Sequence, residues 1–367
     1  MINFCFSKHS LSSVLFPFFV TYYLYLYFCR FFCVPVQGTC RNSQRRYSMV
    51  YETFLETVTS QLQEALGDSY QFMLRPLPKN NGVTLDGLTI QSPDCSVAPT
   101  IYLNPYYEQY QRGTDIHEIV HDILRLYRAT PTPSFLQTDA LDHFSKLRSR
   151  IMFRLIHTAS NQVLLKDLPH LPYLDLSIVF FISLERNEAG QMTALIHQEH
   201  MKRWNITVND LWEAASRNTP LEYPAEIQSM SDLLREIARK NMGEHYDPEL
   251  INKLLESEDA APLYVLSNSN GLYGASCLVY QNVLKDFADH LQADLILLPS
   301  SVHEVLLTPN LPDTSYEALS SMVTSINRQE VSPEEQLSNQ VYLFSRKDGS
   351  LKIVSNAPEL VGASVLS

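Results

Sequence analysis

Leu295-Ile-Leu-Leu-Pro-Ser-Ser-Val-His-Glu-Val-Leu-Leu-Thr-Pro309 sets an apolar run on either side of a short polar segment. Runs this short, bounded by proline, suit buried strands better than helices. Two core strands joined at Pro299–Glu304 are therefore expected. The C-terminal sequence around them continues in the same style. It predicts strands at Leu263–Leu266 and Ala275–Tyr280 around an Asn268–Gly271 turn, helices at Val283–Leu291 and Tyr316–Ile326, and a hairpin, Val341–Ser345 with Leu351–Val354, turned by Asp348-Gly349.

Upstream, Phe54, Leu55, Val58, Leu62 and Leu66 fall at helical spacing within Tyr51–Leu66. Strands are expected at Phe72–Arg75 and Val83–Ile90 around Asn80-Asn-Gly, then at Thr100–Leu103, Ile151–Ile156, Leu174–Leu184 and Met192–Ile196, the last two turned at Asn187–Gly190. Helices are expected at Asp115–Tyr127, ended by Thr130-Pro-Thr-Pro, and at Ala140–Leu147, Val208–Ala215, Ala225–Arg239 and Pro248–Leu255. Hairpins interleaved with helices predict an α+β fold, with mixed or antiparallel sheets and flanking helices in two subdomains. The acidic, small-residue stretch Glu256–Pro262 divides residues 49–257 from residues 258–367.

Charge and cysteine both change character near residue 48. Residues 1–48 hold five basic residues and no acidic one, which leaves 23 Lys and Arg against 40 Asp and Glu from Met49 onward, a formal −17. So acidic a body repels phosphate backbones, and nucleic acid is not an expected partner. Four of the six cysteines (Cys5, Cys29, Cys33, Cys40) lie in the first 40 residues. Cys95 and Cys277 alone make no disulfide framework, as in a reduced cytoplasmic protein. Residues 1–48 themselves admit three readings. Lys8 followed by an apolar run fits a signal peptide, and residues 11–36 could anchor the chain in a membrane. Eight Phe and five Tyr with no acidic residue favour a third, a spurious upstream extension before a true start at Met49.

Three constellations could carry chemistry. His117-Glu118-Ile-Val-His121 matches the zinc-hydrolase pattern, in which two His one helical turn apart share a metal and the Glu polarises its water. Its surroundings argue against that use. Asp115 and Asp122 are charged where such helices are apolar, Leu124 and Tyr127 stand where an extended motif needs Gly and His, and a third ligand would have to come from Asp139, Asp142 or His143. His197-Gln-Glu-His200 lacks a metal spacing and reads as a helix start. Ser300, Ser301, His303 and Glu304 supply a nucleophile type, a base and an acid, so a hydrolase using His303 with Ser300 or Ser301 is one reading. The plainer reading is a turn whose hydroxyls satisfy backbone amides, with Asn268 and His303 as binding candidates. Extended backbone would point His303 and Glu304 to opposite faces.

The segments Asn80-Asn-Gly-Val, Pro99-Thr-Ile-Tyr-Leu, Leu168-Pro-His-Leu-Pro-Tyr-Leu-Asp-Leu, Tyr264-Val-Leu-Ser-Asn, Gly274-Ala-Ser-Cys, Leu297-Leu-Pro-Ser-Ser-Val-His-Glu-Val and Leu337-Ser-Asn-Gln-Val-Tyr together resemble a bacterial family, domain-of-unknown-function family 5688. The resemblance runs from about Met49 to Val354 and implies a cytoplasmic bacterial protein, with no activity or catalytic residue to carry over. The expected function is a binding or regulatory protein for an unidentified small molecule or protein, without cofactor, the hydrolase being the rival.

Overall fold

The computed structural model describes residues 4–7, 49–93, 98–129, 139–187, 190–243, 246–255 and 261–360. It is an α+β fold built on two sheets. The first uses β1 (Phe4–Ser7), β2 (Gln71–Pro78), β3 (Thr84–Gln91), β4 (Pro99–Tyr102), β5 (Ile151–His157), β6 (His170–Tyr173), β7 (Leu176–Asn187) and β8 (Gly190–Leu195). They run in the order β2-β3-β4-β1-β8-β7-β5, with β6 on β7, and all pairs but β1–β4 are antiparallel. The second uses β9 (Ala225–Ser229), β10 (Tyr264–Asn268), β11 (Leu295–Leu298), β12 (Val305–Pro309), β13 (Tyr342–Ser345) and β14 (Ser350–Ile353), ordered β14-β13-β11-β12-β10-β9 and wholly antiparallel.

Register decides which side chains share a face, because directly opposed residues point the same way. On the first sheet Leu88, Ile90, Ile101, Met192, Ala194, Ile178, Phe180, Ile182, Ile151, Phe153 and Leu155 make one apolar face. Its β2–β4 end packs under helices α1 (Tyr51–Leu66) and α2 (Ile116–Ala129) through Phe54, Val58, Leu62, Ile119 and Ile123. The rest joins one continuous core with Leu266, Leu295, Leu297, Val305, Leu307, Tyr342 and Phe344 of the second sheet. The other face of the second sheet, with Val265, Ile296, Leu298 and Leu306, packs under helices α3 (Met230–Met242) and α4 (Tyr316–Glu330). β11 is buried along its whole length because both its faces meet a core.

The opposite face of the first sheet has another character. It carries Arg75, Gly87, Thr89, Thr100, Tyr102, Thr193, Ser183, Phe181 and Arg154. This sheet is also strongly curled. Asn81, just past edge strand β2, donates its backbone N–H to Asn161 Oδ1 at 2.8 Å, and Asn161 Nδ2 donates to Asn81 Oδ1 at 2.9 Å. Asn161 in turn donates to His157 O at 2.8 Å, at the end of the opposite edge strand β5. Six strand spacings would hold the two edges of a flat sheet about 29 Å apart, so their meeting requires the sheet to coil toward closure.

Two expectations of secondary structure fail. Ala225–Ser229 is a strand and not the start of a helix; its alternating residues pair with β10, and Ser229 caps the helix by accepting from the Asp232 N–H at 3.1 Å. Ala275–Tyr280 is not a strand: Gly274–Val279 forms tight helical turns. The adjacent strand β10 is already paired on both sides, by β9 and β12, so no sheet edge is open to this segment. The division at 257/258 also cuts through the second sheet, since β9 lies before it and β10 after, while residues 256–260 lie outside the described residues. Of residues 1–48 only 4–7 are described, and they form β1 between β4 and β8; the proposed anchor at 11–36, the Thr130-Pro-Thr-Pro break and Cys95 lie outside the described residues. Among the described residues no helix is long and apolar enough to cross a membrane.

Candidate functional site

Between β11 and β12 the chain does not turn tightly but makes a braced excursion. Pro299 O and Ser300 O accept from the Ser338 and Leu337 amides, each at 2.9 Å, and Val302 N–H donates to Glu335 O at 2.8 Å. Ser301 is fully buried, and its hydroxyl accepts the His303 N–H at 3.0 Å, the local bond expected of serine in a turn. Ser267 Oγ donates to His303 O at 2.8 Å. Gly274 is pressed against the same carbonyl: a Cβ there would come within 2.3 Å of His303 O and 2.2 Å of Ser267 Oγ.

His303 is buried, and both its ring nitrogens face protein groups. Nδ1 accepts the Tyr273 N–H at 3.2 Å, so a ring proton resides on Nε2, which faces Glu335 Oε1 at 3.6 Å. The ring lies parallel to Tyr273, with centroids 5.8 Å apart. Tyr273 itself is held in the left-handed backbone region at φ 54, uncommon for a residue with a side chain. Over its ring, 4.6 Å from the centroid, sits the Arg154 guanidinium from β5, and Phe181 meets the ring edge-on at 5.7 Å. Residues 301–304 are not a regular strand, so Glu304 is not turned away from His303; its carboxyl feels both His303 and Glu335. Glu304 is only 7% exposed. Burial, reinforced by Glu335 and opposed by His303, pushes its carboxyl up to about 7.

A second polar knot lies beside the first. Asp175, just before β7, accepts from Ser338 Oγ at 2.7 Å and from the Tyr342 hydroxyl. His157 Nε2 lies 3.9 Å from Asp175 and 3.3 Å from Glu359, while burial pulls its pKa down against both carboxylates. Asn81 Nδ2 donates to Pro333 O at 2.8 Å and Gln336 O at 2.7 Å, and Asn80 Nδ2 to Glu334 O at 2.8 Å. Six of the seven segments that carry the family resemblance are thus tied together where the two sheets meet; β4, at Pro99–Tyr102, stands apart.

The other sequence candidates are placed differently. His117, Glu118 and His121 lie on the exposed side of α2, where Asp115 caps the helix by accepting the His117 N–H at 2.8 Å. Asp142, a possible third ligand, pairs with Arg203 at 3.3 Å. Among the described residues no three His, Cys, Asp or Glu side chains converge to hold a metal. His197 caps a helix with His200, whose ring burial drives down to about 4. Asn268 stabilises its own turn, accepting from the Asn270 N–H at 3.0 Å and donating to Leu272 O at 2.8 Å. Sequence reasoning missed Arg154, Tyr273, Glu335, Asp175 and Tyr342. Arg154 did leave a signal, as the one charge inside the apolar strand Ile151-Met-Phe-Arg-Leu-Ile.

Residues 51–346 match the model of a family described as a family of unknown function (DUF5688). No curated protein and no solved structure matches the chain.

Proposed function

The chain belongs to the DUF5688 family, and since that family brings no activity with it, we propose from the site alone that this is a binding or regulatory protein and not a hydrolase. One observation carries the reading: the groups a serine hydrolase would need are spent on architecture. A general base must accept the nucleophile's proton. His303 Nδ1 is occupied by the Tyr273 amide, Nε2 faces a carboxylate, and the Ser301 hydroxyl receives the His303 backbone N–H instead of addressing its ring. The same segment reaches the first sheet through Tyr273, whose ring stacks on His303 and meets Arg154 and Phe181, as suits a module that reports ligand or partner binding from one half to the other. A reducing, cytoplasmic setting fits the buried thiol of Cys277, which burial pushes up to about 12 and so keeps unreactive. The bacterial origin implied by the resemblance fits the same setting. The test is a fluorophosphonate probe, which labels activated serines. We expect no labelling; stoichiometric labelling of Ser300 or Ser301 that disappears in His303→Ala would establish the hydrolase.

A further inference from the structure

We propose that the polar face of the eight-stranded sheet binds a small molecule through an oxyanion, a carboxylate or phosphate group, with Arg154 as its anchor. This rests on the binding-protein reading and names the chemistry of what is bound.

The face that carries Arg154 is the one across which the 334–335 loop reaches, from Lys79 to His303. Its side chains converge from both ends. Lys79, past β2, lies over the Tyr102 ring at 3.9 Å, and Arg154 on β5 lies over Tyr273. The loop bearing Glu334 and Glu335 spans between them, Glu334 near Lys79 and Glu335 against His303. Between these ends the face is lined with hydroxyl and amide groups where a sheet interior is normally aliphatic. Thr100, Thr193 and Gln191 are at most 5% exposed, Thr89 and Thr100 share a hydrogen bond of 3.2 Å, and Tyr223 OH meets both Gln191 and Ser183. Hydrogen-bonded to one another, these groups hold the polar face beside Arg154 in one fixed arrangement.

Arg154 is the unsatisfied member of this set. Three other partly buried arginines are matched: Arg235 by Asp232, Arg346 by Asp289, Arg150 by the Leu184 carbonyl. Arg154 has no ion pair and no hydrogen bond among the described residues, and its Nε is buried without an acceptor. Its flanking neighbours on the face, Val179 and Phe181, are apolar and buried. Arg154 is half-buried, and its Nε, shut off from water without an acceptor, leaves hydrogen-bonding capacity unused that stacking on a tyrosine recovers only in part. An oxyanion supplies what is missing, because the guanidinium fork matches a carboxylate or phosphate edge with two parallel hydrogen bonds. The strained backbone of Tyr273, held by His303, fixes the platform that orients the fork.

The experiment is thermal unfolding of the full chain with rising inorganic phosphate in one arm and acetate in the other, at ionic strength held constant with sodium chloride. At about tenfold Kd a bound anion should raise Tm by about 2 °C, and the more effective arm identifies phosphate or carboxylate chemistry. Arg154→Met should abolish the response while leaving the anion-free Tm equal or higher, because it removes an uncompensated charge; Arg154→Lys should keep only part of it. No response to either anion beyond chloride, or a response that survives in Arg154→Met, overturns the proposal. Fluorophosphonate labelling would instead remove the binding-protein reading and leave the anion titration to stand by itself, so the two failures are distinguishable.

Discussion

Single residues at the site convert burial into measurable free energy. A carboxyl whose pKa is raised on folding holds its proton more tightly in the native state. Its stabilising contribution is therefore complete below the unfolded value and is lost as pH rises through the folded one. For Glu304 that window lies between the ordinary value of 4.5 and about 7. Glu304→Gln should accordingly gain on the parent protein between about pH 5 and about pH 8, by up to about 3 kcal/mol in urea unfolding; a gap that does not change with pH would show that Glu304 is solvated. Gly274 poses a steric test. Gly274→Ala puts a methyl within 2.3 Å of the fixed carbonyl of His303 and should cost about 2 kcal/mol or more, read as a lower urea midpoint at unchanged slope. The Ser-Ser-His-Glu composition was legible in the sequence. What each polar atom does was not, because a turn serine and a catalytic serine have the same composition and differ only in which proton they accept.

At the scale of elements, the β2–β3 hairpin acts as a clasp. Asn81 sits at φ 56, which asparagine tolerates, and its side chain reaches two carbonyls of the 333–336 loop while exchanging bonds with Asn161. Asn81→Ala should cost roughly 2–4 kcal/mol, since it removes three side-chain hydrogen bonds and takes one acceptor from the buried Asn161 amide. Combined with Asn161→Ala the losses should fall short of additivity by about 1 kcal/mol or more in a double-mutant cycle; simple additivity would mean the clasp is not a unit. Asn80-Asn-Gly was legible as a turn, and the hairpin it makes is present. Its grip on a loop some 250 residues later depends on tertiary folding alone. The Gly274–Val279 segment teaches the converse: its residues suit a strand, but a strand needs an open edge, and β10 has none.

At the scale of the whole molecule, the shared core predicts shared stability. Leu297 of β11 and Phe180 of β7 are both fully buried in one continuous cluster that crosses from sheet to sheet. Leu297→Ala should therefore cost roughly 2–5 kcal/mol, and should shift the unfolding transition reported by Trp204 and Trp212, which lie ahead of the second sheet, by that full amount. If the tryptophan transition stays in place while the C-terminal half melts early, the halves are independent domains.

By itself the sequence determined the α+β class, nearly all the core strands and helices, and the family, since each depends on the period and punctuation of short stretches of chain. It also marked the Pro299–Glu304 segment as unusual. Only the tertiary structure decided that the first sheet curls until its edges meet, that β9 joins the second sheet, and that the serines and His303 brace a junction. It alone left Arg154 stacked on Tyr273 with no counter-charge among the described residues. Those outcomes turn on strand order, register and the partner each buried polar atom finds, and such partners lie far along the chain, where local periodicity carries no record of them.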